Sequence, residues 1–131
     1  MTYTAMDAAG NSSTTTRNII AFVQAGGNYI QMDLSGANMG GADLKGAYLS
    51  NANLSGANLG YANLSDSDLS GANLQGANLE GTNLQGANIY GSDLKGAKLS
   101  DANLGGADLS GRDLSDINFA IANLALSLIH I

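Results

Sequence analysis

The sequence predicts an all-β solenoid, a chain wound into short stacked coils around an apolar lumen, and three observations carry that expectation. From Met32 to Ala125 one five-residue pattern, Ala-(Asn/Asp)-Leu-x-Gly, repeats nineteen times without an insertion, a deletion or a proline. A period of five matches neither the helical period of 3.6 nor the strand period of 2, so one long helix would smear the leucines around its circumference. Within a repeat such as Ala52-Asn53-Leu54-Ser55-Gly56, Ala and Leu stand two apart, and extended backbone puts both on one face with Asn on the other.

The central position is Leu in sixteen repeats, with Met39, Ile89 and Phe119 in the other three; Ala stands two earlier in thirteen, and Asn or Asp lies between in seventeen. The inward ladder is therefore expected to run Leu34, Met39, Leu44, Leu49, Leu54, Leu59, Leu64, Leu69, Leu74, Leu79, Leu84, Ile89, Leu94, Leu99, Leu104, Leu109, Leu114, Phe119, Leu124. No repeat can bury its own apolar face, so each is stable only against its neighbours. Large Leu alternating with small Ala suits a narrow interior. The last two residues of each repeat must turn the chain. Gly fills the second of them in twelve of eighteen repeats from Gly36 to Gly111 and tolerates a tight corner, while Asn51, Asp66, Asp101 and Asp116 are the next best turn formers. Stacked coils pair their backbones at about 4.8 Å. The period alone leaves the number of sides open.

Tandem Ala-Asn-Leu-Ser-Gly resembles the pentapeptide-repeat family, and the likeness covers Met32 to Ala125. It implies a right-handed quadrilateral β-helix of four repeats per coil, about five coils and roughly 23 Å tall at about 4.8 Å per coil. The matching residues are scaffold, and the family has no shared catalytic or ligand site to carry over.

The 131 residues suffice for one domain, the absence of Cys argues against disulfide or thiol chemistry, and no apolar run is long enough to span a membrane. Residues 1–13 have too little apolar content to fold alone and are expected to be mobile. No Lys or Arg precedes an apolar core in residues 1–16, so the cytoplasm is the expected location, with periplasm or lumen as the alternative. Residues 14–31 are expected to cap the first coil. Ile19, Ile20, Phe22 and Val23 follow a threonine run and precede Gly26-Gly27, which predicts a short helix over 14–25, with Tyr29 to Gln31 leading into the solenoid. An uncovered coil end would invite edge-to-edge association, so a cap answers a physical need. Near the other end Arg112, Ile117 and Phe119 coarsen the inner wall, and Arg112 is expected to snorkel over the rim. The naive reading of Ile117 to Ile131 is a hydrophobic cap or a homodimer surface at the terminal coil. Leu126-Ser127-Leu128-Ile129-His130-Ile131 breaks register, and a common sequencing-adapter end encodes these six residues when translated in frame. Residues 126–131 are therefore expected to be an adapter-derived artefact.

Outward positions must hold any binding surface. The repeats carry the net charge of −6, and at four repeats per coil the faces led by Leu34, Met39, Leu44 and Leu49 carry −2, −1, −1 and −2. Duplex DNA carries one charge per about 1.7 Å, so a DNA-like rod of this height needs roughly 13, about twice what is present. Asp93, Asp113, Asp116, Tyr48 and Tyr90 are the candidate partner-contact residues, the two tyrosines falling on one face two coils apart. An Asn ladder down a column can hydrogen-bond internally. Carboxylates do not recur in the tight sets that calcium or magnesium needs, and nothing resembles a catalytic constellation. No cofactor, metal, direct nucleic-acid contact or membrane contact is expected. The expected role is a non-catalytic scaffold presenting flat Asn/Asp/Ser-rich faces to an unidentified protein. The resemblance implies two alternatives, a DNA-mimicking modulator of DNA gyrase or topoisomerase and, as in some cyanobacterial relatives, a lumenal or exported structural protein.

Overall fold

The computed structural model describes Ala5–Met6, Ser12–Ser13, residues 23–110, residues 112, 114, 116, 117, 119 and 120, and residues 122–125. Strand β1 (Ala5–Met6) pairs antiparallel with β2 (Ser12–Ser13); the rest of the segment 1–13 lies outside the described residues, as does the tail 126–131. The helix expected over 14–25 also falls largely outside them. Its described end, Val23 to Ala25, is not helical, and the described residues contain no helix.

From Asn28 onward the chain pairs in parallel with the residue twenty later: Asp33 with Asn53, Asn53 with Asn73, Asn73 with Asp93, and likewise on the other faces. Twenty residues are four repeats, so each coil has four sides, consistent with the right-handed quadrilateral winding that the resemblance implies. The backbone accounting of one repeat explains the motif. Leu54 N–H donates to the Asn73 carbonyl at 2.7 Å and Gly56 N–H to the Gln75 carbonyl at 2.8 Å in the next coil, while Asn53 N–H reaches back to the Met32 carbonyl at 2.9 Å. Ala57 N–H closes the corner on the Leu54 carbonyl at 3.0 Å. That leaves Ser55 N–H, which points outward, and the Asn53 side-chain oxygen accepts it at 3.2 Å. All five donors are satisfied, and the last needs Asn or Asp ahead of Leu.

At the corners the third turn residue has positive φ, from 63° at Gly81 to 74° at Gly106 among the glycines, and Asn51, Tyr61, Asp66 and Asp101 adopt the same region at 57° to 60°. Inside, every central residue from Leu34 to Leu109 is at most 4% exposed, and Leu114, Phe119 and Leu124 are half-buried against the same core. Where Ser67, Thr82 and Ser92 replace the inward Ala, each hydroxyl donates to a backbone carbonyl at 2.7 Å, on Leu64, Leu59 and Ile89 respectively. Their burial therefore leaves no orphan polar atom.

The solenoid begins one repeat before the Met32 motif boundary. Tyr29 takes a central position, its N–H donating to the Tyr48 carbonyl at 2.7 Å. A Cβ on Gly27 would lie 2.2 Å from the Tyr29 hydroxyl, so glycine in the Ala slot gives the larger ring its room. Arg112 does not simply clear the rim. Its Nη1 donates to the Ser92 carbonyl at 2.6 Å and its Nε to the Ser110 carbonyl at 3.2 Å, and the guanidinium lies 5.6 Å from the Tyr90 ring centre. An Arg cannot enter a lumen sized for Ala, so its head turns out to carbonyls and an aromatic face.

Candidate functional site

The four faces are alike in backbone and differ in what they hold outward. On the Leu44 face the outward column reads Asp43, Asn63, Asn83, Asn103, Asn123, and it forms an unbroken amide ladder. Asn63 Nδ2 donates to Asp43 Oδ1 at 3.1 Å, Asn83 to Asn63 at 3.3 Å, Asn103 to Asn83 at 3.1 Å and Asn123 to Asn103 at 3.0 Å. The neighbouring column on the Met39 face is built the same way, Asn78 to Asn58 to Asn38, but Lys98 ends it.

Beside the Leu44-face ladder runs an open groove of about 740 Å³, lined among others by Ser65, Gln85, Gly86, Gly105, Gly106 and Ala125. Its only charged lining residues are Lys45 and Asp66 at the N-terminal end. These two are 4.0 Å apart with side chains 60% and 66% exposed, so the pair is weak. On the other side of the ladder stands Tyr61, 70% exposed at a corner, its ring across Gly81.

The residues picked from sequence as partner contacts are not brought together. Tyr48 is exposed on the Leu49 face and pairs through its backbone with Asn28 and Asp68. Tyr90 lies on the same face under Arg112. Asp116 is exposed in a turn, and Asp113 lies outside the described residues. Asp93 is held by the Gln75 side chain and by Lys95 N–H at 3.0 Å. The Gln75 hydrogen bond, then the Lys95 N–H, and last the Lys95 charge draw its pKa below the usual carboxylate value against a small desolvation cost. A depressed folded pKa means these contacts stabilise above the unfolded pKa of about 3.9 and are lost as pH falls through the lower folded value. An NMR titration of the Asp93 carboxyl carbon should therefore give a midpoint below 3.9, and Gln75→Ala should raise it. An unchanged midpoint in that variant would place the cause elsewhere.

Sequence reasoning anticipated an Asn ladder without saying which column, and it passed over Tyr61. The signal for the column appears when the chain is read in steps of twenty, where only this face keeps Asn at four consecutive rungs. Among the described residues no three His, Cys, Asp or Glu side chains cluster as a metal site, and no helix is long and apolar enough to cross a membrane.

Comparison with known proteins agrees with this architecture. The family model for pentapeptide repeats matches residues 33–60 and 62–101 in eight copies. HetL, a pentapeptide repeat protein involved in heterocyst differentiation regulation from the cyanobacterium Nostoc sp. strain PCC 7120, is 30% identical with a TM-score of 0.61 over 80% of this chain and 54% of its own. The pentapeptide repeat protein alr5209 from Nostoc PCC 7120 is 34% identical with a TM-score of 0.57, over 79% of this chain and 84% of its own. Rfr23 from the cyanobacterium Cyanothece 51142 is 39% identical with a TM-score of 0.45, over 76% of this chain and 60% of its own. The chain thus spans little more than half the length of HetL and Rfr23. No curated protein matches the sequence. A four-sided coil, a buried leucine ladder and eight matched repeats make this chain a member of the pentapeptide-repeat family.

Proposed function

We propose that the chain is a non-catalytic interaction scaffold, cytoplasmic in location, whose Leu44 face receives part of a partner protein. The observation that carries this reading is the amide ladder from Asp43 to Asn123, which holds outward polar groups in fixed register beside an open, largely uncharged groove. A rigid wall orders its contacts before binding, so little side-chain entropy is lost on association. The family supports the reading, since pentapeptide repeat proteins are generally structural or interaction proteins. So does the likeness to HetL, a protein involved in heterocyst differentiation regulation.

The acids give no comparable support to a gyrase-directed DNA mimic. They are spread over the faces, one is paired with Lys45, and Asp93 is bound by Gln75 and Lys95. A photo-crosslinking residue at Gln85, in the groove, should trap a discrete protein adduct in extract of the source cells, whereas the same residue at Glu80 on the Met39 face should not. Equal trapping at both positions, or none at Gln85, would overturn the assignment to this face.

A further inference from the structure

We propose that the Leu44-face groove binds a proline-rich segment of its partner in the polyproline II conformation; this rests on the scaffold reading and gives its ligand a chemistry. The first argument is a count of donors and acceptors. The side-chain oxygen of Asn63 accepts Asn83 Nδ2 and Ser65 N–H, that of Asn83 accepts Asn103 Nδ2 and Gln85 N–H, and that of Asn103 accepts Asn123 Nδ2 and Gly105 N–H. Each amide oxygen has thus used its two lone pairs, while each Nδ2 has given one of its two hydrogens to the coil below. From Asn63 to Asn103 the column presents spare donors and no spare amide acceptors, and spare acceptors stand only at its ends, on Asp43 and Asn123. Its complement is a chain rich in acceptors and poor in donors, and a proline backbone offers carbonyls and no N–H.

The second argument is metric. Rungs of the column recur about every 4.8 Å, so every second Asn is about 9.6 Å along the axis. A polyproline II helix turns once in three residues at 3.1 Å each, about 9.3 Å, so carbonyls three residues apart meet Asn63 and Asn103, or Asn83 and Asn123, with about 0.3 Å of mismatch per turn. An extended strand laid along the axis repeats its carbonyls on one edge every two residues, about 6.6 Å, and falls out of step at once. It would also bring N–H groups to face donors.

The surroundings agree. Gly86, Gly105, Gly106 and Ala125 bring little side-chain bulk into the groove and leave it clear for a bulky chain. The charges lie at one end, and the net charge of −6 disfavours a polyanion. From Asn63 to Asn123 is three rungs, about 14 Å, enough for about five residues.

A labelled oligoproline of about ten residues, titrated with the full chain by fluorescence anisotropy, should bind, and a Gly-Ser peptide of equal length should not. Asn83→Asp and Asn103→Asp should each weaken binding by about 10-fold, while Asn78→Asp, the same change in the similarly built column of the Met39 face, should leave it unchanged. Melting curves on all three variants establish that they are folded. Equal binding of the Gly-Ser peptide, no binding at millimolar oligoproline, or full binding by Asn83→Asp would overturn the proposal. Self-association lost in Asn83→Asp without oligoproline binding would assign the groove to a second copy and overturn it too. A protein trapped at Gln85 that contains no proline-rich segment would leave the scaffold reading standing and remove this one.

Discussion

Leu74→Asp should unfold the solenoid. Leu74 is 1% exposed in the middle of the ladder, and its N–H is bonded to the Asp93 carbonyl at 2.7 Å in the next coil. A carboxylate there has no partner in a lumen of leucine and alanine, and the lost Leu contacts add to its desolvation, together at least ~4 kcal/mol. That rivals the whole stability of a small domain, about 5–15 kcal/mol. Because each coil is stable only through its neighbours, a break in the middle propagates to both sides. The adjacent Asn73 points outward, and its side-chain oxygen accepts Gln75 N–H at 3.0 Å. Asn73→Ala should then cost about 1 kcal/mol. Thermal melts by circular dichroism decide the matter, and comparable shifts for the two variants would contradict the inward and outward assignments.

Gly81→Ala should be more damaging than the same change at Gly76. At φ 63° any side chain is strained, by roughly 1–2 kcal/mol, but Gly76 at 64° bears the same strain. The difference lies above the backbone. A Cβ at Gly76 meets nothing within 4 Å, whereas one at Gly81 would sit 2.5 Å from two carbons of the Tyr61 ring. The ring, 70% exposed, must swing off its position, for a further ~0.5–1.5 kcal/mol. Replacing Tyr61 by Ala should erase the excess of Gly81→Ala over Gly76→Ala, a double-mutant cycle with one contact at issue. Equal melting shifts for the two glycine variants with Tyr61 present would refute this account.

That cycle also shows why some of the structure could be read from sequence and some could not. The corner column holding Tyr61 and Gly81 is one of several in which a larger corner residue has glycine one coil later: Asn51 beneath Gly71, Tyr61 beneath Gly81 and Asp66 beneath Gly86. In each, a Cβ on the glycine would fall within 2.8 Å of the side chain below. Sequence reading accounts for these glycines by turn conformation alone, because the constraint from twenty residues earlier exists only once the coil closes on four repeats. Tyr29 escaped the motif for a related reason, since it fits the ladder only through the missing side chain of Gly27. Arg112 was legible as an anomaly, yet its partners Ser92, Ser110 and Tyr90 come from two coils.

By itself the sequence determined the solenoid, the apolar lumen and the places of the corners, because these follow from a local repeat of large, small, polar and turn-forming residues whose periodicity permits no other single element. Tertiary structure decided what the asparagines do. Within one repeat Asn63 is only an outward polar residue; stacked beneath Asn83 it becomes a rung whose oxygen is saturated and whose amide nitrogen has given one hydrogen to Asp43. Hydrogen-bond valence is settled by neighbours twenty residues away in sequence and about 4.8 Å away in space, and that separation is fixed only when the coils close.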